Sequence, residues 1–314
     1  MKRQVLIAGG AGFIGSYLCD YYVGQGYSVD CVDNLSTSDG GNVKHLNQET
    51  NFNFINHDIV KPLPKRLAAN KYNLVINMAS PASPPTYQRL AIETLRVGAE
   101  GTLNLLELAR LSKARFFQAS TSEVYGDPEV HPQPESYRGV VNSYGPRSMY
   151  DESKRYAEAL IYSYRRKHKL STVVSRFFNT YGPRMDANDG RVVSNFVVQA
   201  LSGKPITIYG KGQQSRSFCY IDDLVSGVIA LIDSNEEGPM NLGNPGEFTV
   251  KQLADKVIKM TDSPSKIVYS ALPIDDPKQR RPDIRLAKQK LSWQPKISLD
   301  EGLIKTIEYF RTVI

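Results

Sequence analysis

Val5-Leu6-Ile7-Ala8-Gly9-Gly10-Ala11-Gly12-Phe13-Ile14-Gly15 joins a short apolar run to a turn that carries four glycines. The run reads as a buried strand, and the segment after it, 13–25, has the length of a helix. In a strand–turn–helix setting these glycines have separate tasks. Gly9 allows the tight turn, Gly12 lets the backbone approach a pyrophosphate at the helix N-terminus, and Gly15 permits close packing of helix on strand. Phe13 and Ile14 lie on the same first turn, so Gly9, Gly12, Phe13, Ile14 and Gly15 form one candidate dinucleotide-binding element.

Outward from that turn, apolar runs at 28–32, 52–55, 74–77, 115–118 and 171–177 alternate with helix-length segments at 62–70, 90–112 and 149–168. Strands that alternate with helices imply right-handed crossovers and a parallel sheet. The expected fold is therefore α/β, a Rossmann-type doubly wound parallel sheet. After residue 176 the rhythm changes to loops rich in Asn, Gly and Pro between helices near 191–201, 222–233, 249–260 and 299–312. The expected division is a dinucleotide-binding domain over 1–178 and a smaller, mainly substrate-binding domain over 179–314, with some segments returning to the first sheet.

In such sheets ligands sit beyond the carboxyl ends of the strands, so the loops after Ala8, Asp33, Asn77 and Ser120 should face one crevice. Asp33 ends the second strand, 18 residues after Gly15. A carboxylate there accepts hydrogen bonds from ribose hydroxyls and repels a 2′-phosphate. No Arg or Lys lies between Asp33 and Gly41, which favours NAD over NADP. Asn34 beside Asp33, Asp58 and Ile59 after the third strand, Met78, Ala79 and Ser80 after the fourth, and Ala119 in the fifth complete the cofactor candidates, with Asp58 meeting the adenine.

Tyr150 and Lys154 stand four residues apart, on one face of a helix. A nearby ammonium stabilises a phenolate, so Tyr150 is expected to have a lowered pKa and to take a proton from an alcohol as hydride leaves for a nicotinamide. Thr121, Ser122 and Glu123 come directly after the fifth strand, where they can hydrogen-bond the reacting hydroxyl and govern the chemistry after oxidation.

Composition removes several classes. The chain of 314 residues is 41% hydrophobic and 23% charged, without low complexity or repeats. Its net charge of +7 is spread over helices that also carry acids, apart from Lys278 to Arg281 beside Asp275 and Asp276, so nucleic acid is not an expected partner. No apolar run approaches the ~20 residues of a membrane span. Cys19, Cys31 and Cys219 form no pair and the four histidines, His57 and His131 among them, no ligand spacing, so neither a metal nor a disulfide scaffold is expected and the compartment should be the cytoplasm. Trp293 reads as a packing residue.

Further stretches carry a resemblance: Ala79-Ser80-Pro81-Ala82-Ser83-Pro84-Pro85, Ala119 to Pro132, Gly145-Pro146-Arg147 with Tyr150-Asp151-Glu152, Phe178 to Met185, Asn188 to Phe196, Asn241 to Pro245, and Asp275-Asp276-Pro277 with Arg280 and Pro282-Asp283-Ile284. Over essentially the whole chain they resemble the UDP-glucuronic acid decarboxylases (UDP-xylose synthases), extended short-chain dehydrogenase/reductases of the NAD-dependent epimerase/dehydratase family. Related 4,6-dehydratases carry Thr-Asp-Glu where this chain has Thr121-Ser122-Glu123, and 4-epimerases lack the glutamate. Ser122 removes the acid that would protonate a departing hydroxyl.

The resemblance implies oxidation at carbon 4 of UDP-glucuronate with Tyr150 as base, loss of carbon dioxide from the β-keto acid, and re-reduction to UDP-xylose. It places Arg280 by the substrate carboxylate, Glu123 and Ser122 in ring distortion and proton handling, and Thr121 and Pro84 at the sugar. UDP is to be gripped by Asn179, Arg191, Val192, Asn195, Tyr209, Gln214 and Arg216, and a homodimer packed through 90–112 and 149–168 is implied. A decarboxylase that releases the 4-keto pentose, a 4-epimerase, a 4,6-dehydratase and, remotely, a non-catalytic NAD-binding regulator remain as alternatives. The chain departs from the family at Arg138, Val140 and Ser143, and at Gly98, where an asparagine is usual. Ser38 to Gly41 is an acidic loop where basic residues are common.

Overall fold

The computed structural model describes residues 3–272, 274–275, 277 and 279–314. Asp276 and Lys278, named above, lie outside the described residues. The first part of the chain runs β1 Gln4–Ala8, α1 Phe13–Gly24, β2 Ser28–Asp33, a 3₁₀ stretch Gly41–Gln48, β3 Phe52–Asn56, α2 Lys65–Ala69, β4 Leu74–Asn77, α3 Pro84–Arg89 and α4 Ala91–Arg96. A π-helical turn Val97–Gly101 leads into α5 Thr102–Ser112, then β5 Arg115–Thr121, a 3₁₀ turn Ser122–Tyr125, α6 Ser148–His168 and β6 Thr172–Phe177.

The rest comprises β7 Thr180–Tyr181, α7 Val192–Leu201, β8 Ile206–Tyr209, β9 Ser215–Ser217, β10 Cys219–Tyr220, α8 Ile221–Asp233, β11 Met240–Leu242, β12 Glu247–Thr249, α9 Val250–Thr261, β13 Ile267–Ser270, β14 Gln279–Arg280, α10 Arg285–Leu291 and α11 Leu299–Val313. Seven strands form one sheet in the order β11-β6-β5-β4-β1-β2-β3, and every pairing in it is parallel. This is the expected doubly wound fold. The strand order reverses between β1 and β4, which puts the ligand crevice over the glycine turn.

β1 shows why the sheet is buried on both faces. Val5 and Ile7 pack into one apolar cluster with α1, α8 and α11 residues such as Leu18, Leu231 and Phe310. Leu6 and Ala8 pack into a second cluster with Leu105, Leu106 and Ile161 of α5 and α6. Successive side chains of a strand point to opposite faces, so a parallel strand covered on both sides reads as an unbroken apolar run.

Three expectations change. The segment expected at 62–70 shrinks to α2, because Pro64 takes the N-cap position in extended conformation (φ −54°, ψ 142°). The single helix expected over 90–112 is α4 and α5 joined by the π turn, where Gly98 and Gly101 press on α6 and on Ile59. α3 and α10 also lie where no helix was expected. Small sheets complete the fold: β7 with β10, β8 with β13, and β9 between β12 and β14. No helix among the described residues is long and apolar enough to cross a membrane. The three cysteines are free and buried.

Candidate active site

The glycine turn is shaped by backbone contact. Gly9 adopts φ +73°, and a Cβ on it would stand 2.6 Å from the backbone nitrogen of Ala79. A Cβ on Gly15 would stand 2.1 Å from the carbonyl oxygen of Gly9, so helix and turn touch there as the spacing implies. Gly12 is the N-cap of α1 and supplies no side-chain cap, which leaves the first N–H groups of the helix directed outward. That is a cradle for a pyrophosphate.

Asp33 accepts hydrogen bonds from the backbone N–H of Ala11 at 3.1 Å and of Leu35 at 2.9 Å. Burial raises its carboxyl pKa, and the backbone donors offset part of that rise. Each oxygen retains a lone pair for a ribose hydroxyl. Phe13 lies under the guanidinium of Arg191, 5.9 Å from the ring centre, which links the dinucleotide turn to the loop before α7. The chain's residues therefore fit a dinucleotide. Asn34 accepts from Ser36 N–H, and Asp58 accepts from Val60 N–H at 3.0 Å and caps its own turn. Ile59 is buried among the α5 side chains.

One cavity of about 490 Å³ lies beyond the strand ends. It brings together Ile14, Met78, Ser80, Pro84, Ala119, Thr121, Ser122, Glu123, Tyr150, Lys154, Asn179, Arg191, Val192, Asn195, Tyr209, Gln214, Arg216 and Arg280. Gly9, Gly12, Phe13, Gly15, Asp33, Asn34, Asp58, Ile59 and Ala79 do not line it. Of these, the glycine-turn residues, Asp33 and Ala79 border the turn beside it, whereas Asp58 and Ile59 belong to the loop after β3.

β5 delivers Thr121, Ser122 and Glu123 to the cavity because the strand ends in a 3₁₀ turn that Thr121 caps, its Oγ1 accepting from Glu123 N–H at 3.2 Å. Arg147 donates to Glu123 Oε2 at 2.5 Å. Arg280, brought in by β14, donates to the same oxygen at 3.2 Å, to Gly126 O at 2.9 Å and to Ser122 O. Burial alone would raise Glu123; the charges of Arg280 and Arg147 outweigh it and pull the carboxyl down to about 2. Arg280 is only 1% exposed, and its Nε is buried without a hydrogen-bond partner.

The Tyr150–Lys154 pair corrects the reading that the ammonium lowers the phenol pKa. Lys154 donates to Ala119 O at 3.0 Å, and its Nζ lies 5.7 Å from the Tyr150 ring centre. Burial raises Tyr150 to about 12, opposed by its hydrogen bond with Thr121. Burial also lowers Lys154 to about 8. Tyr87 stacks on Tyr150 at 4.9 Å with the rings 10° apart. This neighbour, like Arg147 as the partner of Glu123, escaped the sequence reading; Gly145-Pro146-Arg147 carried the signal but not its target.

Elsewhere on the cavity wall, Arg191 forms a forked pair with Asp189, with Nε 2.5 Å from Oδ2 and Nη2 2.9 Å from Oδ1. Asn195 donates to Gly190 O at 3.0 Å, and Gln214 to Tyr209 O at 2.7 Å. Arg216 faces Arg280 across β9 and β14. The N-terminus of α7, capped by Arg191 without a side-chain bond, opens on the cavity. Cations, amides and a helix N-terminus suit a diphosphate.

The family described as GDP-mannose 4,6 dehydratase matches residues 6–306. UDP-glucuronic acid decarboxylase 1 of Xenopus tropicalis is 49% identical over 310 residues, which cover 99% of this chain and 72% of that protein. UDP-glucuronic acid decarboxylase 1 of Arabidopsis thaliana is 46% identical over 313 residues, covering 100% of this chain and 71% of that one. The crystal structure of UDP-glucuronic acid 4-epimerase from Bacillus cereus, in complex with UDP-glucuronic acid and NAD, superposes with a TM-score of 0.90 at 26% identity, covering 99% of this chain and 100% of that one. Fold, glycine turn and near-full-length identity agree: the chain belongs to the GDP-mannose 4,6 dehydratase family of extended short-chain dehydrogenase/reductases, among the relatives of the UDP-glucuronic acid decarboxylases.

Proposed function

We propose that this protein is an NAD-dependent decarboxylase that converts UDP-glucuronate to UDP-xylose. The observation that carries the reading is the corner at Glu123, where a hydroxyl residue, Ser122, precedes a carboxylate that two guanidiniums hold ionised. Neither side chain can protonate a departing 6-hydroxyl, which argues against dehydration. Arg280 lines the cavity with its Nε unpartnered, and its positive charge supports an incoming carboxylate there. The names of the relatives support the same substrate.

NAD, when bound, supplies the reversible removal of hydride from carbon 4. Tyr150, hydrogen-bonded to Thr121, takes the proton of the 4-hydroxyl in its phenolate form, which burial disfavours and which the positive charges of Lys154 and of the oxidised nicotinamide would favour, and later returns it. Lys154, on Ala119 O, holds positive charge beside the Tyr150 ring. The 4-ketone lies β to the carboxylate, so the bond between carbons 5 and 6 breaks with its electron pair passing to the ketone as an enolate. Carbon dioxide leaves, and carbon 5 then takes a proton. Glu123, held ionised, orients that proton donor rather than being one. Asp33 selects NAD over NADP by accepting from ribose hydroxyls, and Gly9, Gly12 and Gly15 make room for the pyrophosphate. Arg191, Asn195, Gln214 and Arg216 grip the UDP.

A 4-epimerase acting on the same substrate is the second reading, favoured by the likeness to the Bacillus cereus enzyme. Product analysis separates the two: carbon dioxide with UDP-xylose supports decarboxylation, whereas inversion at carbon 4 with the carboxylate retained overturns it. The same reading includes a cofactor domain ending at 178 and a cytoplasmic setting, which the three free thiols favour. It also includes a homodimer. Ile92, Leu95 and Leu103 on the α4–α5 helix and Tyr156 and Tyr162 on α6 are exposed and supply apolar area for it.

A further inference from the structure

A second cleft lies apart from the active site, between α6, β6 and the residues before β11. Its volume is about 430 Å³, and no residue that lines it also lines the cavity described above. β6 makes its floor. Thr172, Val174 and Arg176 alternate along that strand, so their side chains share one face of the sheet, and all three line the cleft. α6 supplies a wall with Arg155, Glu158 and Arg165. Ten residues of helix separate the two arginines, which sets them about 15 Å apart along its axis.

Charge is uneven along this cleft. Glu158 is fully engaged: Arg176 holds it in a forked pair at 3.0 and 2.7 Å, and Ser120 Oγ donates to the same Oε1 at 2.6 Å. Arg165 pairs with Glu237 at 2.9 Å. Val174 N–H donates to Glu237 O at 3.2 Å, which sets that pair beside the start of β6. At the other end, Arg155 donates through Nη1 to the carbonyls of Val124 and Arg138, at 3.0 Å each. The Arg138 guanidinium lines the cleft and makes no hydrogen bond or ion pair among the described residues. Four arginines thus face two glutamates, and the excess positive charge collects where Arg138 and Arg155 meet. Thr172 adds an independent sign. It is only 2% exposed, and its Oγ1 has no hydrogen-bond partner. A buried hydroxyl left unpaired is destabilising, and an acceptor on a ligand in the cleft would satisfy it.

We propose that this cleft is a second binding site, for a small phosphate monoester. The phosphate sits between the guanidiniums of Arg138 and Arg155, whose planar donors suit its oxygens. The sugar or nucleoside that it carries runs along β6 toward Thr172, whose hydroxyl donates to it. The volume of the cleft falls in the range of small-molecule sites. The inference is independent of the reaction proposed above.

Calorimetric titration of the full chain tests this, with NAD and UDP in excess to fill the main cavity and with inorganic phosphate, glucose 1-phosphate and AMP as probes. Glucose 1-phosphate, AMP or both should bind at one equivalent per chain and more tightly than inorganic phosphate, and which of them binds tells a sugar body from a nucleoside. Arg138→Ser, which removes an exposed and unpaired side chain, should weaken each probe that binds about tenfold. Thr172→Val should weaken the esters about fivefold, leave inorganic phosphate unchanged, and without ligand be at least as stable as the wild type, because it removes an unpaired buried hydroxyl. No binding of either ester, as when a second copy of the chain covers the cleft, overturns the proposal, and so does equal affinity in wild type and Arg138→Ser. Unchanged ester affinity in Thr172→Val overturns the placement along β6. Failure of NAD or UDP to bind falls on the proposed function alone, because Arg138 lies outside the main cavity and its substitution still reads the cleft.

Discussion

Gly98 lies where a side chain would strike α6, which a pair of substitutions can test. A Cβ at position 98 would stand 2.6 Å from Ser153 Cβ and 2.9 Å from Ser153 O. Ser153 is buried on α6 between Tyr150 and Lys154, and its hydroxyl donates to Tyr150 O at 2.8 Å. Gly98→Ala must therefore push the helix that carries both residues. Overpacking of this kind costs about 1–3 kcal/mol, and replacing a helical glycine returns about 0.5–1 kcal/mol. The net expectation is a loss of about 1–2 kcal/mol. Ser153→Gly alone should cost about 0.5 kcal/mol by helix propensity, but it removes the nearest atom that position 98 strikes, leaving Ser153 O at 2.9 Å. In the double variant the two losses should therefore fall short of their sum by about 1 kcal/mol or more, as contacting sites do. Urea unfolding of the four proteins measures this, with turnover as a second readout, since movement of α6 disturbs Tyr150. Additivity within about 0.5 kcal/mol would refute the contact.

Two further substitutions address the cofactor turn and the charged corner. Gly15→Ala places a methyl 2.1 Å from Gly9 O and 2.9 Å from Gly10 Cα, backbone atoms that cannot step aside, so NAD affinity should fall at least about tenfold; an unchanged binding isotherm would contradict the reading of the turn. Glu123→Gln leaves Arg280 buried without a counter-charge and should cost about 3 kcal/mol near neutral pH. The folded pKa of Glu123, about 2, lies below its ordinary 4.5. Its stabilisation is thus present above 4.5 and lost as pH falls from there toward 2. The stability gap between wild type and Glu123→Gln should narrow from about pH 7 to about pH 3, and a gap independent of pH would show that the ion cluster contributes nothing.

Much of this was legible in the chain because the signals are local. The apolar run before Gly9 fixes β1, the glycine spacing fixes the turn, and an interval of four residues puts Tyr150 and Lys154 on one helix face. The features that escaped depend on distant segments meeting. Arg147 and Arg280 lie 24 and 157 residues from Glu123, and nothing in the chain announces that they share one carboxylate oxygen. The π turn hides in a continuous helical period, because one widened turn changes no apolar spacing that a reader can count. Strands of two or three residues such as β7, β10 and β14 carry too few positions for alternation to show. The pKa of Tyr150 was misjudged because spacing reveals a neighbouring ammonium but not how completely a phenol is buried, and burial dominates.

The central claim is decided most directly by carrying UDP-glucuronate, labelled with carbon-13 at its carboxyl, through the reaction in heavy water with catalytic NAD. Labelled carbon dioxide, UDP-xylose with one deuterium at carbon 5, and NAD unchanged in amount at the end are the predicted result. A product that keeps the labelled carboxylate, with inverted configuration at carbon 4, would contradict it.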